Sequence, residues 1–342
     1  MARDLAMPPG AADFLASCGW DGCDAREFSA DAAFRRYFRL AKGGETRVLM
    51  FAPDPSERSE WFVELARYIR GHDLSAPEIF AEDLPRGFIL LEDLGEEQFF
   101  AVLGTAPGAY DEPLMYQAAT DVLGSLHRQP MPRRLGPVSI EHYGQDRLIS
   151  EASLFLDWHW PELQGVSDTP PYDSFRQAWE AVLPAAAYDA ERLVQLDYHS
   201  PNLMWLPQRD GLQRVGILDF QDAMCGPSSY DLVSLLQDAR RDVAAGIEPE
   251  MFERYLAARP DLDPERFAAS YAVMGAQRAS RILGVFVRLW RRDEKPRYLR
   301  HMPRLWRHLE TNLSHPALAP LRDWFDHHVP PDRRRDFTEE LA

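Results

Sequence analysis

Two stretches constrain this chain more than anything else in it: Leu193-Val-Gln-Leu-Asp-Tyr-His-Ser-Pro-Asn-Leu-Met-Trp205 and Gly216-Ile-Leu-Asp-Phe-Gln-Asp222. Each reads as a short apolar strand, and Gln208-Arg-Asp-Gly211 between them reads as a turn. Polar atoms stand only at the strand ends, with Asp197 and Asn202 around the first and Asp219 and Asp222 after the second. A carboxylate, an amide five residues on and a second carboxylate beyond an apolar strand can converge on one magnesium-bound phosphate. In phosphoryl transfer one Asp orients the attacking hydroxyl while an Asn and another Asp hold the metal. Solvated turn carboxylates would explain any one of these residues. They do not explain the set, which Gly226-Pro-Ser-Ser-Tyr-Asp231 follows directly.

A chain of 342 residues exceeds the length at which one hydrophobic core stops growing, so two lobes are expected. Lys and Arg number 38 against 54 Asp and Glu, a net charge of −16. That balance argues against nucleic acid as a partner, because sequence-independent binding to phosphate backbones needs basic charge. Cys18, Cys23 and Cys225 form no CxxC pair, which fits a reducing compartment rather than a disulfide framework. No window approaches the roughly 18 apolar residues of a membrane span, and the N-terminus lacks an apolar core of signal-peptide length. The expectation is a cytoplasmic protein without a membrane partner.

Along the chain, residues 1–28 read as a helical lead-in, and 28–51 as strand, turn, strand, Gly43-Gly44 turn and strand. Trp61, Phe62, Leu65, Ala66 and Ile69 recur at helical spacing within 56–70. Residues 76–81 and 88–92 complete a small sheet. Beyond it helices dominate: one from Pro113, then 146–160, 173–186, 230–240, 249–258, 264–292 and 296–312, with a charged, solvated tail. The division expected is 1–94 for the β-rich part and 95–342 for the helical part. The fold class is α+β.

A small β-rich lobe, a hinge, a helical lobe and an Asp-x4-Asn hairpin ending in Asp together resemble the aminoglycoside phosphotransferase family, whose fold is bilobal and protein-kinase-like. The resemblance covers nearly the whole chain. Its specific part is Asp197-Tyr-His-Ser-Pro-Asn202, Leu218-Asp-Phe-Gln-Asp-Ala223, Gly226-Pro-Ser-Ser-Tyr-Asp-Leu232 and Ser234-Leu-Leu-Gln-Asp-Ala-Arg240. This wording is similar to the branch of anomeric kinases that phosphorylate N-acetylmuramate and N-acetylglucosamine at C1 in cell-wall recycling. Gly284-Val-Phe-Val-Arg-Leu289 and Arg292-Asp-Glu-Lys-Pro-Arg-Tyr-Leu299 point the same way. The resemblance implies ATP and Mg²⁺ as cofactors and an amino sugar as substrate. It implies Asp197 as catalytic base, Asn202 and Asp219 as metal ligands, and Asp231 as a support of the catalytic loop through backbone N–H bonds. Glu92 and Leu94 fall at the hinge that would offer backbone groups to adenine.

The chain departs from the family pattern in three places. Gln195-Leu196 precedes the catalytic Asp where the family has His-Gly or His-Arg, and Asp219-Phe220-Gln221 stands where protein kinases have Asp-Phe-Gly. No lysine occupies the third strand, where Val48-Leu-Met50 stands, so another cation must neutralise the phosphates. Arg36 or Arg39 is nominated, paired with Glu60 or Glu64. For the acceptor, Gln277, Arg278 and Arg281 form a basic patch that suits a carboxylate such as the lactyl group of N-acetylmuramate. Asp157-Trp-His-Trp160 offers aromatic faces for a sugar, with Trp158 as the candidate, or a carboxylate for the amines of an aminoglycoside. A kinase for another small acceptor, such as an amino alcohol, and a nucleotide-binding pseudokinase are the alternatives.

Overall fold

The structure is a computed structural model that describes residues 7–28, 35–105, 108–163, 169–334 and 336–341. It separates into two compact units that interleave along the chain. The first comprises Met1–Tyr110, Pro132–Ile140 and Pro201–Ala223, and the second Asp111–Met131, Glu141–Ser200 and Met224–Ala342. The expected division is one cut after residue 94. The observed one also assigns 201–223 to the first unit, because that hairpin bridges Ser75 and Gln98 through its strands.

The first unit is built on a five-stranded sheet of β1 (Asp24–Phe28), β2 (Arg36–Lys42), β3 (Glu45–Phe51), β4 (Ile79–Asp83) and β5 (Phe88–Glu92), in the order β1-β2-β3-β5-β4. All its neighbours are antiparallel. Gly43 and Gly44 connect β2 to β3 at φ of 62° and 87°, the doubly left-handed turn that matches strand twist and that side chains with a Cβ resist. Phe38, Leu40, Leu49, Phe88 and Leu90 form a buried cluster with Phe14 and Leu15 of α1 (Ala11–Ser17). The helix α2 (Ser59–Gly71) buries Phe62, Leu65, Ala66 and Ile69 of the stripe read from its periodicity, together with Val63, while Trp61 is only half-buried.

Several boundaries differ from the sequence reading. Among its described residues the lead-in is helical over α1, and Asp24–Phe28 pairs with β2, so tertiary pairing overrides local pattern there. Residues 29–34 of the expected first turn lie outside the described residues. The strand expected at 76–81 runs from Ile79 to Asp83, beyond Pro77, which has no N–H for a ladder.

The second unit is helical: Glu112–Arg128, Tyr172–Ala186, Ser229–Leu236, Ile247–Ala258, Pro264–Arg291, Met302–Leu313 and Ala319–His328 are its main helices. Asp263 caps the long helix Pro264–Arg291, accepting the Arg266 amide at 2.9 Å, and Pro264 sits where a missing N–H costs nothing. The helix expected at 146–160 instead stops at Ala152, and Phe155–His159 forms a π turn. Gly284 explains the close approach there: a Cβ on it would lie 2.1 Å from the carbonyl oxygen of Leu154. The expected solvated tail is corrected, since Trp324, Phe325, Val329 and Phe337 are buried. Among the described residues no helix is long and apolar enough to cross a membrane.

Candidate active site

In the first unit, strands Leu203–Trp205 and Val215–Ile217 pair antiparallel, with Ile217 opposite Leu203. The pairing continues as the Leu218 amide donates to Asn202 O at 2.9 Å. Asn202 therefore enters the hairpin beside the point where Asp219 leaves it, and Asn202 Nδ2 lies 3.4 Å from Asp219 Oδ2. The hairpin is anchored by Trp205 N donating to Glu97 O and Ile217 N to Ser75 O, both at 2.7 Å. Gly216 fits where it does because a Cβ would stand 3.0 Å from both Leu94 Cδ1 and Met204 Cβ.

Asp219 has φ of 57°, left-handed backbone that a non-glycine residue adopts at a cost of about 1 kcal/mol or more. Contacts beyond Asn202 help to hold it there. Phe220 is buried and stacks on Phe62 of α2, with centroids 5.0 Å apart. Gln221 Nε2 donates to Asp219 Oδ1 at 2.8 Å. Arg35, just before β2, brings Nη1 to 3.7 Å from the same oxygen. Arg35 is itself buried, with Nε 2.6 Å from Glu57 Oε2 and Nη2 donating to Glu57 O at 2.8 Å. Next in the chain, Arg58 Nη1 reaches Asp222 Oδ1 at 3.3 Å.

In the second unit, strand Arg192–Val194 pairs with Met224–Gly226 and releases the chain into Gln195-Leu196-Asp197. Leu196 has φ of 67°, and the two amides before Asp197 converge on one carboxylate. Gln195 N donates to Asp231 Oδ2 at 2.7 Å and Leu196 N to Asp231 Oδ1 at 2.9 Å. Ser234 Oγ donates to Leu196 O at 3.0 Å, and Arg278 Nε to Ser234 Oγ at 2.9 Å. Asp231 is fully buried, with His127 Nε2 at 3.4 Å. Asp197 itself keeps part of its surface accessible. Burial alone would raise its carboxyl pKa, but the positive field of His199, Arg281, Arg278 and Arg240 outweighs it and holds the group below the usual range. His199 is pushed down to about 4 by burial, so near neutral pH the arginines sustain that field.

The other candidate residues fall as follows. Arg36 pairs with Glu27 at 2.8 Å, and Arg39 with Asp93 at 2.8 Å and with Glu96. Both answer acidic partners on strand and loop, whereas Glu64 pairs with Arg67 at 3.0 Å. The Glu92 amide donates to Glu78 O at 2.9 Å and its carboxylate pairs with Arg209, while Leu94 packs with Met204 and Leu206. Gln277 is fully buried and ties two helices together, donating to Leu148 O at 3.0 Å. Arg281 remains 28% exposed, with Nε 3.3 Å from Glu151. Trp158 is half-exposed and Trp160 buried. Sequence reasoning passed over Arg35 and Glu57. The only signal was the Arg35-Arg36 doublet, whose two members cannot be ranked without knowing which one faces inward.

The family model described as "Phosphotransferase enzyme family" matches residues 24–268. The chain belongs to that family. It is 35% identical to a Caulobacter vibrioides protein named N-acetylmuramate/N-acetylglucosamine kinase, over 95% of this chain and 97% of that one. It is 34% identical to a Pseudomonas aeruginosa protein of the same name, over 86% and 85%. Among solved structures, the gentamicin complex of the aminoglycoside phosphotransferase APH(2")-IIa aligns with a TM-score of 0.60 at 14% identity, covering 88% of this chain and 97% of that one. The fold of this phosphotransferase is thus that of the aminoglycoside phosphotransferases, α+β with an antiparallel sheet in the first unit and a helical second unit.

Proposed function

We propose that this phosphotransferase is an ATP-dependent sugar kinase that transfers the γ-phosphate to the anomeric C1 hydroxyl of N-acetylmuramate, N-acetylglucosamine or both, in cell-wall recycling. The observation that carries this reading is the match to a kinase named for both sugars over 95% of the chain. The Asp197-x4-Asn202 spacing and the Asp219 that follows the next apolar strand in the sequence support it. The free thiols of Cys18, Cys23 and Cys225 are consistent with a cytoplasmic enzyme.

Asp197 accepts the proton of the sugar hydroxyl. Its carboxyl is held ionised by the surrounding arginines, so it is ready as an acceptor at neutral pH. A C1 hydroxyl is a hemiacetal and more acidic than an ordinary alcohol, so Asp197 acts chiefly by orienting it, with proton transfer late. Asp231 keeps the Asp197 loop in shape by fixing two consecutive amides. One carboxylate and one amide oxygen, from Asp219 and Asn202, make a hard oxygen set of the kind Mg²⁺ takes when phosphate and water complete its shell. Magnesium, when bound, supplies charge neutralisation at the phosphates. Arg281 and Trp158, the more accessible of the acceptor candidates, offer the sugar a guanidinium and an aromatic face.

The test is acceptor-dependent ADP release across a panel of amino sugars, aminoglycosides and amino alcohols, with the phosphorylated position read by phosphorus NMR. Release confined to non-sugar acceptors, or phosphate on any carbon other than C1, would overturn the reading.

A further inference from the structure

The turn that ends the hairpin in the first unit carries two carboxylates three residues apart, and each meets an arginine. Asp219 faces Arg35 at 3.7 Å, and Asp222 faces Arg58 at 3.3 Å. The two arginines differ in how they are held. Arg58 stands at the start of α2 with its side chain 21% exposed, over the ring of Trp61. Arg35 is 7% exposed and gripped twice by Glu57, once through the carboxylate and once through the carbonyl. A guanidinium held on two of its nitrogens has little freedom left, so its third nitrogen is aimed rather than floating. What it is aimed at is the oxygen of Asp219 that Gln221 also touches.

Burying an arginine is hard to justify as stabilisation, since removing charges from water costs several kcal/mol per ion that the pairing barely recovers. The arrangement makes sense if the positive charge is needed next to Asp219. Asp219 stands in strained left-handed backbone with 47% of its side chain exposed, so packing does not fix its rotamer. A carboxylate that must present an oxygen to a metal in one direction needs its other oxygen occupied. Gln221 donates to Oδ1 and Arg35 Nη1 stands 3.7 Å from the same oxygen, while Oδ2 faces Asn202, whose Nδ2 lies 3.4 Å away.

We propose that Arg35, locked by Glu57, is the positioning residue for Asp219. It holds Oδ1 so that Oδ2 and Asn202 form the metal-binding pair. The proposal rests on the kinase reading. Arg36 and Arg39 do not share this role, since their charges are spent on Glu27, Asp93 and Glu96.

The experiment is calorimetric titration of ADP with and without Mg²⁺ into wild type, Arg35→Met, Arg35→Lys and Glu57→Gln, with thermal melts to establish folding. Arg35→Met is expected to weaken Mg·ADP by about tenfold or more, the usual cost of losing a partner of a metal ligand. Metal-free ADP should weaken much less, because the clamp acts on the metal pair. Arg35→Lys should recover part of the loss, and Glu57→Gln, which keeps the arginine and loosens its grip, should fall between. Equal Mg·ADP affinity in wild type and folded Arg35→Met would overturn the proposal and leave the kinase reading intact. An equal loss with and without Mg²⁺ would also overturn it, since the effect would then be general to the nucleotide site. If Arg35→Met does not fold, the folded Glu57→Gln decides by the same two comparisons. A wild type that bound no nucleotide would sink the kinase reading and the clamp together.

Discussion

Leu196 donates its amide to Asp231 at 2.9 Å while holding φ of 67°, so the residue before the proposed base is fixed in a strained shape by a carboxylate 35 positions away in sequence. The preceding amide, from Gln195, goes to the other oxygen of the same carboxylate. Two charge-assisted bonds to a fully buried group keep the loop closed in a conformation its own residues resist.

Asp231→Ala should therefore remove support that no neighbour can replace, costing on the order of 3 kcal/mol through two unsatisfied buried amides. Turnover should fall together with stability. Asp231→Asn retains one acceptor and should lose less of both. Urea unfolding alongside steady-state kinetics measures the pair, and an Asp231→Ala protein as stable as wild type would contradict the support role.

Asp197→Asn keeps shape and removes the proton acceptor. ATP affinity should stay as it is while turnover on the sugar falls by about a hundredfold or more, the range for loss of a general base. Rapid-quench turnover with calorimetry separates the two. A mutant keeping a tenth of wild-type turnover would not fit.

Removing the other carboxylate should act on binding. Asp219→Ala is expected to weaken Mg·ATP by roughly tenfold or more, with the loss shrinking when Mg²⁺ is omitted. Calorimetry at fixed free Mg²⁺ is the measurement.

His159 gives a pH dependence with a defined sign. Burial pushes its pKa down to about 3 from 6.5, and the ring stacks on Phe155 at 4.9 Å. Its folded pKa lies below its unfolded one, so the unfolded chain binds the extra proton between them. The neutral ring's contribution is complete above pH 6.5 and drains away as pH falls toward 3. The slope approaches about 1.4 kcal/mol per pH unit for this one group. His159→Phe, which keeps the stack, should flatten the acid side of the stability curve by up to that slope in urea melts between about pH 4 and 6.

Gly284→Ala tests the helix approach. The added carbon would sit 2.1 Å from Leu154 O and 2.6 Å from Phe155 N, backbone atoms that cannot swing aside as a side chain would. The long helix must shift, at roughly 1–3 kcal/mol. A melting temperature equal to wild type would show the approach to be looser.

The hairpin was legible because its chemistry is local. Asn202 and Asp219 sit at the ends of the two strands of one hairpin, whose turn is written in nearby residues, whereas Asp197, read as part of the same strand, follows Arg192–Val194, which pairs with Met224–Gly226 instead; the α2 stripe and the Asp231 helix start are local too. The long helix Pro264–Arg291 was readable too, since its cap and periodicity lie within its own span. What the sequence could not say is which arginine faces Asp219. Arg35 and Arg36 are neighbours, and only the pairing of β2 with β1 and β3 sends Arg36 to Glu27 while Arg35 turns to Glu57 and the hairpin. The same holds for Gln277, whose helical position suits a ligand contact but whose neighbour is Leu148 O, and for Phe337, whose charged surroundings hide a buried ring. Spacing along the chain fixes which residues share a strand end or a helix face. Partners brought from distant segments are selected by strand pairing and packing, which depend on the whole chain at once.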